Sequence, residues 1–161
     1  MAKHRELKVT VQHSRGRCYC PKMLEKETRR IVGAMMSTRL ANTLRITIKV
    51  RDKNYSGRGH NLRGSHGLAV VKNLEDQKTK SKKYVVYLTK DRSQASLLDT
   101  LAHELCHVHQ MAQGRLRVIR KGGVKFWAWR GEGKKKLYSM DSDYYSQPWE
   151  VEAREAGRTY R

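Results

Sequence analysis

The stretch "LAHELCHVHQ", residues 101–110, decides the reading of this chain. It lies in a longer segment, Gln94 to Gln113, with the composition of a helix and with Gly114 placed to end it. Leu97, Leu98, Leu101, Leu105, Val108 and Ala112 fall within about 100° of one another around such a helix, forming a core stripe. His103 and His107 fall on the opposite side, where an ordinary surface helix carries Lys, Glu or Gln.

His103, Glu104 and His107 spell H-E-x-x-H. Residues four apart on a helix are separated by about 40° of rotation and roughly 6 Å of rise, so two imidazoles can converge on one metal ion. Glu104, about 100° from His103, stands beside that point, where its carboxylate can take a proton from metal-bound water. The bland alternative is a pair of exposed histidines beside an ordinary glutamate; the long apolar stripe opposite them favours the metal. His109 lies about 160° from His107 and reads as a polar or nucleic-acid-facing side chain. Cys106 is also off the ligand face and reads as a small, semi-buried residue.

A catalytic zinc has three protein ligands and an open position for water. The C-terminal segment "PWEVEAREAGRTY", with Pro148 in its first turn, reads as a short helix offering Glu150, Glu152 and Glu155. Glu150 has Arg154 four residues on, the pattern of an exposed helix pair. Glu152 shares its side with Trp149, Ala153 and Ala156, and the small alanines permit close helix approach. Glu152 is therefore the preferred third ligand and Glu150 the alternative.

The remainder reads as a mixed α and β chain. "LKVTVQ" and "LRITIKV" alternate as strands do, and Pro21 to about Leu44 has helical composition. "LAVVKN" and "KYVVYLTK" read as strands joined across the basic stretch "KTKSKK". "RLRVIRKGGVKFWAWRG" reads as a hairpin turning at Gly122-Gly123, with Trp127 and Trp129 on one face as core. A polar, lysine-rich stretch follows to Gln147, in which Lys134 to Lys136 read as solvated.

At 161 residues the chain fits one domain, residues 1–161, with a basic N-terminal segment of about twenty residues. Its 35 Lys and Arg against 15 Asp and Glu give a net charge of +20, which favours polyanionic partners such as DNA or RNA. No apolar run approaches a membrane span, and the N-terminus has no signal-peptide core. Three cysteines, Cys18, Cys20 and Cys106, are too few for a disulfide framework. A reducing, cytoplasmic location, at the nucleoid or in a virion, is expected. Cys18-Tyr19-Cys20, with His13 nearby, reads as free thiols more readily than as a second metal site. The loop "SGRGHNLRGSHG" lacks the G-K-[ST] ending of a P-loop. Its Arg58, His60, Arg63 and His66 could touch a phosphate backbone or simply be solvated.

His103–Glu104–x–x–His107 followed by "YYSQPWEVEA" resembles the zincin metallopeptidases, closest to the SprT-like proteins and to small metallopeptidases of bacteriophages. The resemblance covers roughly Tyr84 to Gly157, and this chain has no cysteine-rich zinc ribbon. It implies an α+β fold with a small, mostly antiparallel sheet packed against the H-E-x-x-H helix and a C-terminal ligand helix. It further implies Zn2+ held by His103, His107 and Glu152, with Glu104 as general base. "KYVVYLTK" would be an edge strand along which an extended peptide substrate pairs. Tyr144 or Tyr145 would stabilise an oxyanion, although packing of the loop explains both tyrosines slightly better. The expected activity is peptide hydrolysis by a metal-activated water, on DNA-associated proteins. The alternative is a nucleic-acid-binding or virion-associated structural protein with a zinc site kept for stability; a zinc amidase is a minor third reading.

Overall fold

The computed structural model describes residues 6–13, 20–52, 56–57, 60–61, 67–71, 82–90 and 93–161. Four strands form the main sheet: β1 (Lys8–His13), β2 (Leu44–Arg51), β5 (Gly67–Val71) and β6 (Lys82–Thr89). Their order is β1-β2-β6-β5, and β3 (Ser56–Gly57) pairs with β4 (His60–Asn61) in a separate two-residue ladder. β1 and β6 both run parallel to β2, and β5 runs antiparallel to β6. The expected mostly antiparallel sheet is thus corrected: two of the three pairings in the sheet behind the histidine helix are parallel.

Leu44, Ile46, Ile48 and Val50 of β2 alternate inward, as a sheet with one face on the core requires. β6 differs: Tyr84 to Thr89 are all buried. Continuous burial marks an internal strand covered on both faces, and β6 lies between β2 and β5. "KYVVYLTK" is therefore not an edge strand; β1 and β5 flank the sheet. An unbroken β-branched and aromatic run was itself a sign of an internal strand.

α1 (Pro21–Met35) packs Leu24, Ile31 and Val32 into the same core as β2 and β6. The expected helix to Leu44 stops early, because Ser37 accepts a hydrogen bond from the Leu40 amide and starts a separate turn, α2 (Thr38–Ala41). α3 (Gln94–Ala112) begins at Ser93, whose hydroxyl accepts from the Ser96 amide. Leu97, Leu101, Leu105, Val108 and Ala112 face the main sheet, as the stripe predicts. Gly114 follows in the left-handed region, φ 72°, which releases the chain from the helix.

β7 (Leu116–Lys121) and β8 (Val124–Trp129) form the expected hairpin, with Gly122 and Gly123 at φ 58° and 81°. Two consecutive positive φ values make a type I′ turn, whose twist suits a two-residue hairpin loop. A third strand, β9 (Lys136–Ser139), adds antiparallel to β8, within what reads in sequence as a polar stretch. A 3-10 turn, Tyr144–Ser146, leads to α4 (Pro148–Tyr160). α4 lies against α3 on the side away from the main sheet, where Cys106 packs on Ala153 and Ala156. A Cβ built on Gly157 would stand 3.1 Å from the Asp99 backbone oxygen, so the helices approach closely at this point. Trp149 is buried beneath Trp127, Trp129 and Tyr138, with ring centroids 5.1–5.9 Å away, tying α4 to the three-stranded sheet. No helix of the described residues is long and apolar enough to cross a membrane.

Candidate metal centre

α3 and α4 meet at three side chains. His103 and His107 present their Nε2 atoms 3.2 Å apart from consecutive turns of α3. Glu150, in the first turn of α4, places Oε1 3.2 Å from His107 Nε2 and Oε2 3.3 Å from His103 Nε2. Among the described residues these three form a group able to hold a metal ion. Ligands arranged tetrahedrally at zinc's usual distance of about 2.0 to 2.1 Å stand about 3.3 Å from one another. The two imidazole nitrogens, and each imidazole with one of the two Glu150 oxygens, stand close to that separation, and one donor atom from each of the three residues lies within 4.8 Å of the others.

Two further observations fit a cation between them. Glu150 is 4% exposed, and its Oε2 has no hydrogen-bond partner of adequate geometry among the described residues. A buried carboxylate oxygen left so is costly unless a cation meets it. His107 Nδ1 lies 2.9 Å from Oε1 of Gln110, a fully buried residue whose Nε2 donates to the Trp149 carbonyl at 3.0 Å. That carbonyl fixes which end of the Gln110 amide faces His107. The amide oxygen takes the Nδ1 proton and leaves the Nε2 lone pair directed at the site.

The electrostatics are those of a tightly coupled acid and base. Burial opposes ionisation of Glu150, but the close imidazoles of His103 and His107, the charge of His107 and the Tyr144 hydroxyl hold it well below the usual carboxylate range. Burial likewise disfavours a charged His107; the Glu150 hydrogen bond, the charges of Glu104 and Glu150, and Gln110 outweigh it and raise its pKa. A divalent ion would take the place of these protons.

Glu152 is not part of this group, which corrects the sequence-based preference. It lies about 200° around α4 from Glu150. Its carboxylate is forked by the Arg115 guanidinium at 2.5 and 2.9 Å. The alanine face does approach α3, but the carboxylate it carries inward is Glu150, in line with Ala153 and Gly157. Nor does Glu150 pair with Arg154: Arg154 donates to the Tyr145 carbonyl and lies over the Tyr145 ring.

Glu104 is 5% exposed and lines, with His107, Glu150 and Tyr144, the polar end of a cavity of about 210 Å³. Met111, Leu116, Trp127, Met140 and Trp149 form its apolar part. Tyr144 directs its hydroxyl at Glu150; its pKa is raised by burial first and then by the Glu150 charge. Tyr145 is 72% exposed, stacks edge-on against Tyr144 and stays outside the cavity, so its expected role is withdrawn. His109 stands near Arg115, and burial together with that charge lowers its pKa. Cys106 is buried and outside the metal group, as expected for a small packing residue. Cys20 is exposed. The readings placed on Cys18, Tyr19, Arg58, Arg63 and His66, and on the side chains of His13 and His60, lie outside the described residues, as does most of the 78–83 basic stretch.

Gln110 and Trp149 are the site residues that sequence reasoning did not single out. A glutamine three residues after His107, on a helix face that must be buried, was the available signal. Comparison with family models, with curated proteins and with solved structures finds no match to this chain.

Proposed function

We propose that this chain is a zinc-dependent peptidase, with zinc held by His103, His107 and Glu150 and with Glu104 as the general base. The observation that carries the reading is the position of Glu104: a buried carboxylate lining the same cavity as His107 and Glu150. Zinc bound there supplies Lewis acidity, polarising a carbonyl and making water a nucleophile near neutral pH. Glu104 would take the proton of the attacking water and return it to the leaving amine. Gln110 holds His107 in the tautomer that ligates. Tyr144, its hydroxyl on Glu150, orients that carboxylate and stands at the cavity mouth.

The apolar part of the cavity accepts a large side chain next to the bond cleaved. An apolar cavity of about 150 Å³ is enough to hold a benzene ring, and this one is larger. The +20 charge favours substrates associated with nucleic acid. A metal kept for stability alone is normally closed by a fourth protein ligand. Among the described residues the group has three, which favours catalysis over that second reading.

The test is cleavage of an unfolded, fluorescently labelled protein by zinc-loaded wild type and Glu104→Gln. The variant should keep its zinc and lose at least about a hundredfold in rate, the usual scale for a general base. Equal rates in the two proteins, or no cleavage by the loaded wild type, would refute the reading.

A further inference from the structure

The three-stranded sheet has a second face. Side chains alternate along each strand, so Leu116 and Trp127 turn toward the metal-side cavity while Arg117 and Ala128 turn away from it. Arg117 pairs across the sheet with Ala128, whose small side chain leaves a hollow on that face. A cavity of about 190 Å³ opens there, bounded by Arg115, Arg117, Arg130, Lys135, Gln113 and Gly114.

Four cationic side chains surround this space, and only one is neutralised. Arg115 is committed to Glu152 and stacks over Trp129, 4.9 Å from the ring. The side chains of Arg117, Arg130 and Lys135 make no hydrogen bond or ion pair among the described residues. A Cβ on Gly114 would stand 2.5 Å from the Arg117 guanidinium, so the bare glycine leaves room for that group beside the end of α3. The carbonyls at the end of α3 do not satisfy these cations' role as counter-charge. Those of His109, Gln110 and Met111 accept backbone amides, and Lys82 donates to that of Ala112.

We infer that this cavity is a phosphate-binding site, formed by Arg117, Arg130 and Lys135 on the face of the sheet opposite the metal cavity. Three cations, one from β7 and two from the connection between β8 and β9, suit a tetrahedral oxyanion with several acceptor oxygens better than a flat carboxylate. Each guanidinium can engage two of those oxygens in a fork. The charge of +20 makes a nucleic-acid backbone the favoured source of the phosphate. Because the sheet separates the two cavities, a nucleic acid here leaves the metal cavity open. The inference does not depend on the chain being a peptidase.

The experiment compares the wild type with the triple variant Arg117→Ala, Arg130→Ala, Lys135→Ala and with a charge-matched control, Lys22→Ala, Lys26→Ala, Arg39→Ala, on exposed positions of α1 and α2. Folding is checked by circular dichroism and thermal midpoint, with the single variant Arg117→Gln held in reserve if the triple variant does not fold. Binding of a labelled single-stranded DNA oligonucleotide is measured across a salt series, and binding of inorganic phosphate by calorimetry. The salt slope for the oligonucleotide should fall by about two to three in the cavity variant, and by less in the control. Phosphate binding that is lost in the cavity variant, with oligonucleotide binding unaffected, would support the site and assign it to free phosphate. Equal losses in the two triple variants, or no phosphate and no oligonucleotide binding sensitive to the cavity residues, would overturn the inference.

Discussion

Gln110 Oε1 lies 2.9 Å from His107 Nδ1, and the same amide donates through Nε2 to the Trp149 carbonyl at 3.0 Å. One buried side chain thus links the histidine helix to the helix that supplies Glu150, and sets the tautomer of the imidazole between them. Substituting Gln110→Leu removes both bonds and puts an apolar side chain of similar size in their place. Metal affinity should fall by about 10- to 100-fold, the usual scale for a group supporting a ligand. Competitive chelator titration of the folded variant measures it; an unchanged affinity would show that His107 is oriented by something else.

Metal uptake should depend on pH through His107. Without metal its folded-state pKa is raised to about 9, the hydrogen bond from Glu150 and the neighbouring carboxylate charges outweighing burial. An unfolded histidine titrates near 6.5. The protonated imidazole therefore stabilises the metal-free fold fully below about pH 6.5, and that contribution is lost as pH rises through about 9. Zinc needs the neutral ring, so between pH 6.5 and 8 its apparent affinity should rise roughly tenfold per unit. Calorimetric titrations at several pH values, corrected for buffer, check the slope. A flat profile would exclude displacement of a proton from His107.

Gly157 should resist enlargement. Its missing side chain lets α4 lie close to Asp99 of α3, whose backbone and carboxylate oxygens would stand 3.1 and 3.2 Å from an added Cβ. Gly157→Leu should destabilise the protein by about 1 to 3 kcal/mol, as overpacking does. Because the same two helices carry the metal group, the variant should also bind metal less tightly. Denaturant titration and metal affinity measured together test both effects.

Cys106 should be inert in the folded protein. Burial first, and then the nearby Glu152 carboxylate, push its thiol up to about 12. The nucleophilic thiolate is therefore scarce at pH 8. Mass spectrometry after brief alkylation should find Cys106 unmodified in the native state and modified after denaturation. Rapid native alkylation would mean that α4 separates readily from α3.

The histidine helix was legible because two independent signals agreed on it: a 3.6-residue apolar stripe and two imidazoles one turn apart on the other side. The hairpin at Gly122-Gly123 was legible for a similar reason, since two adjacent glycines between alternating arms admit few other conformations. The third member of the metal group was not fixed by the same means. Ala153 and Ala156 correctly marked the side of α4 that meets α3, but Glu150 and Glu152 lie about 200° apart, and only the crossing of the two helices decides which points inward. Arg115, distant in sequence, claims the other. The strand order was illegible for a related reason: β1 and β2 are separated by α1, and periodicity within a strand does not say which neighbour it takes. β9 escaped notice because its side chains are mostly exposed and polar, its backbone pairing with β8 supplying the order.

Whether His103, His107 and Glu150 together hold a metal ion is decided by zinc content per chain. Wild type, Glu150→Ala, Glu150→Gln and Glu152→Ala would be purified folded, supplied with zinc, dialysed and measured by elemental analysis. About one zinc per chain is expected in wild type and in Glu152→Ala, with a large loss in both Glu150 variants. Zinc retained by the Glu150 variants and lost from Glu152→Ala would contradict it, as would a folded wild type that takes up none.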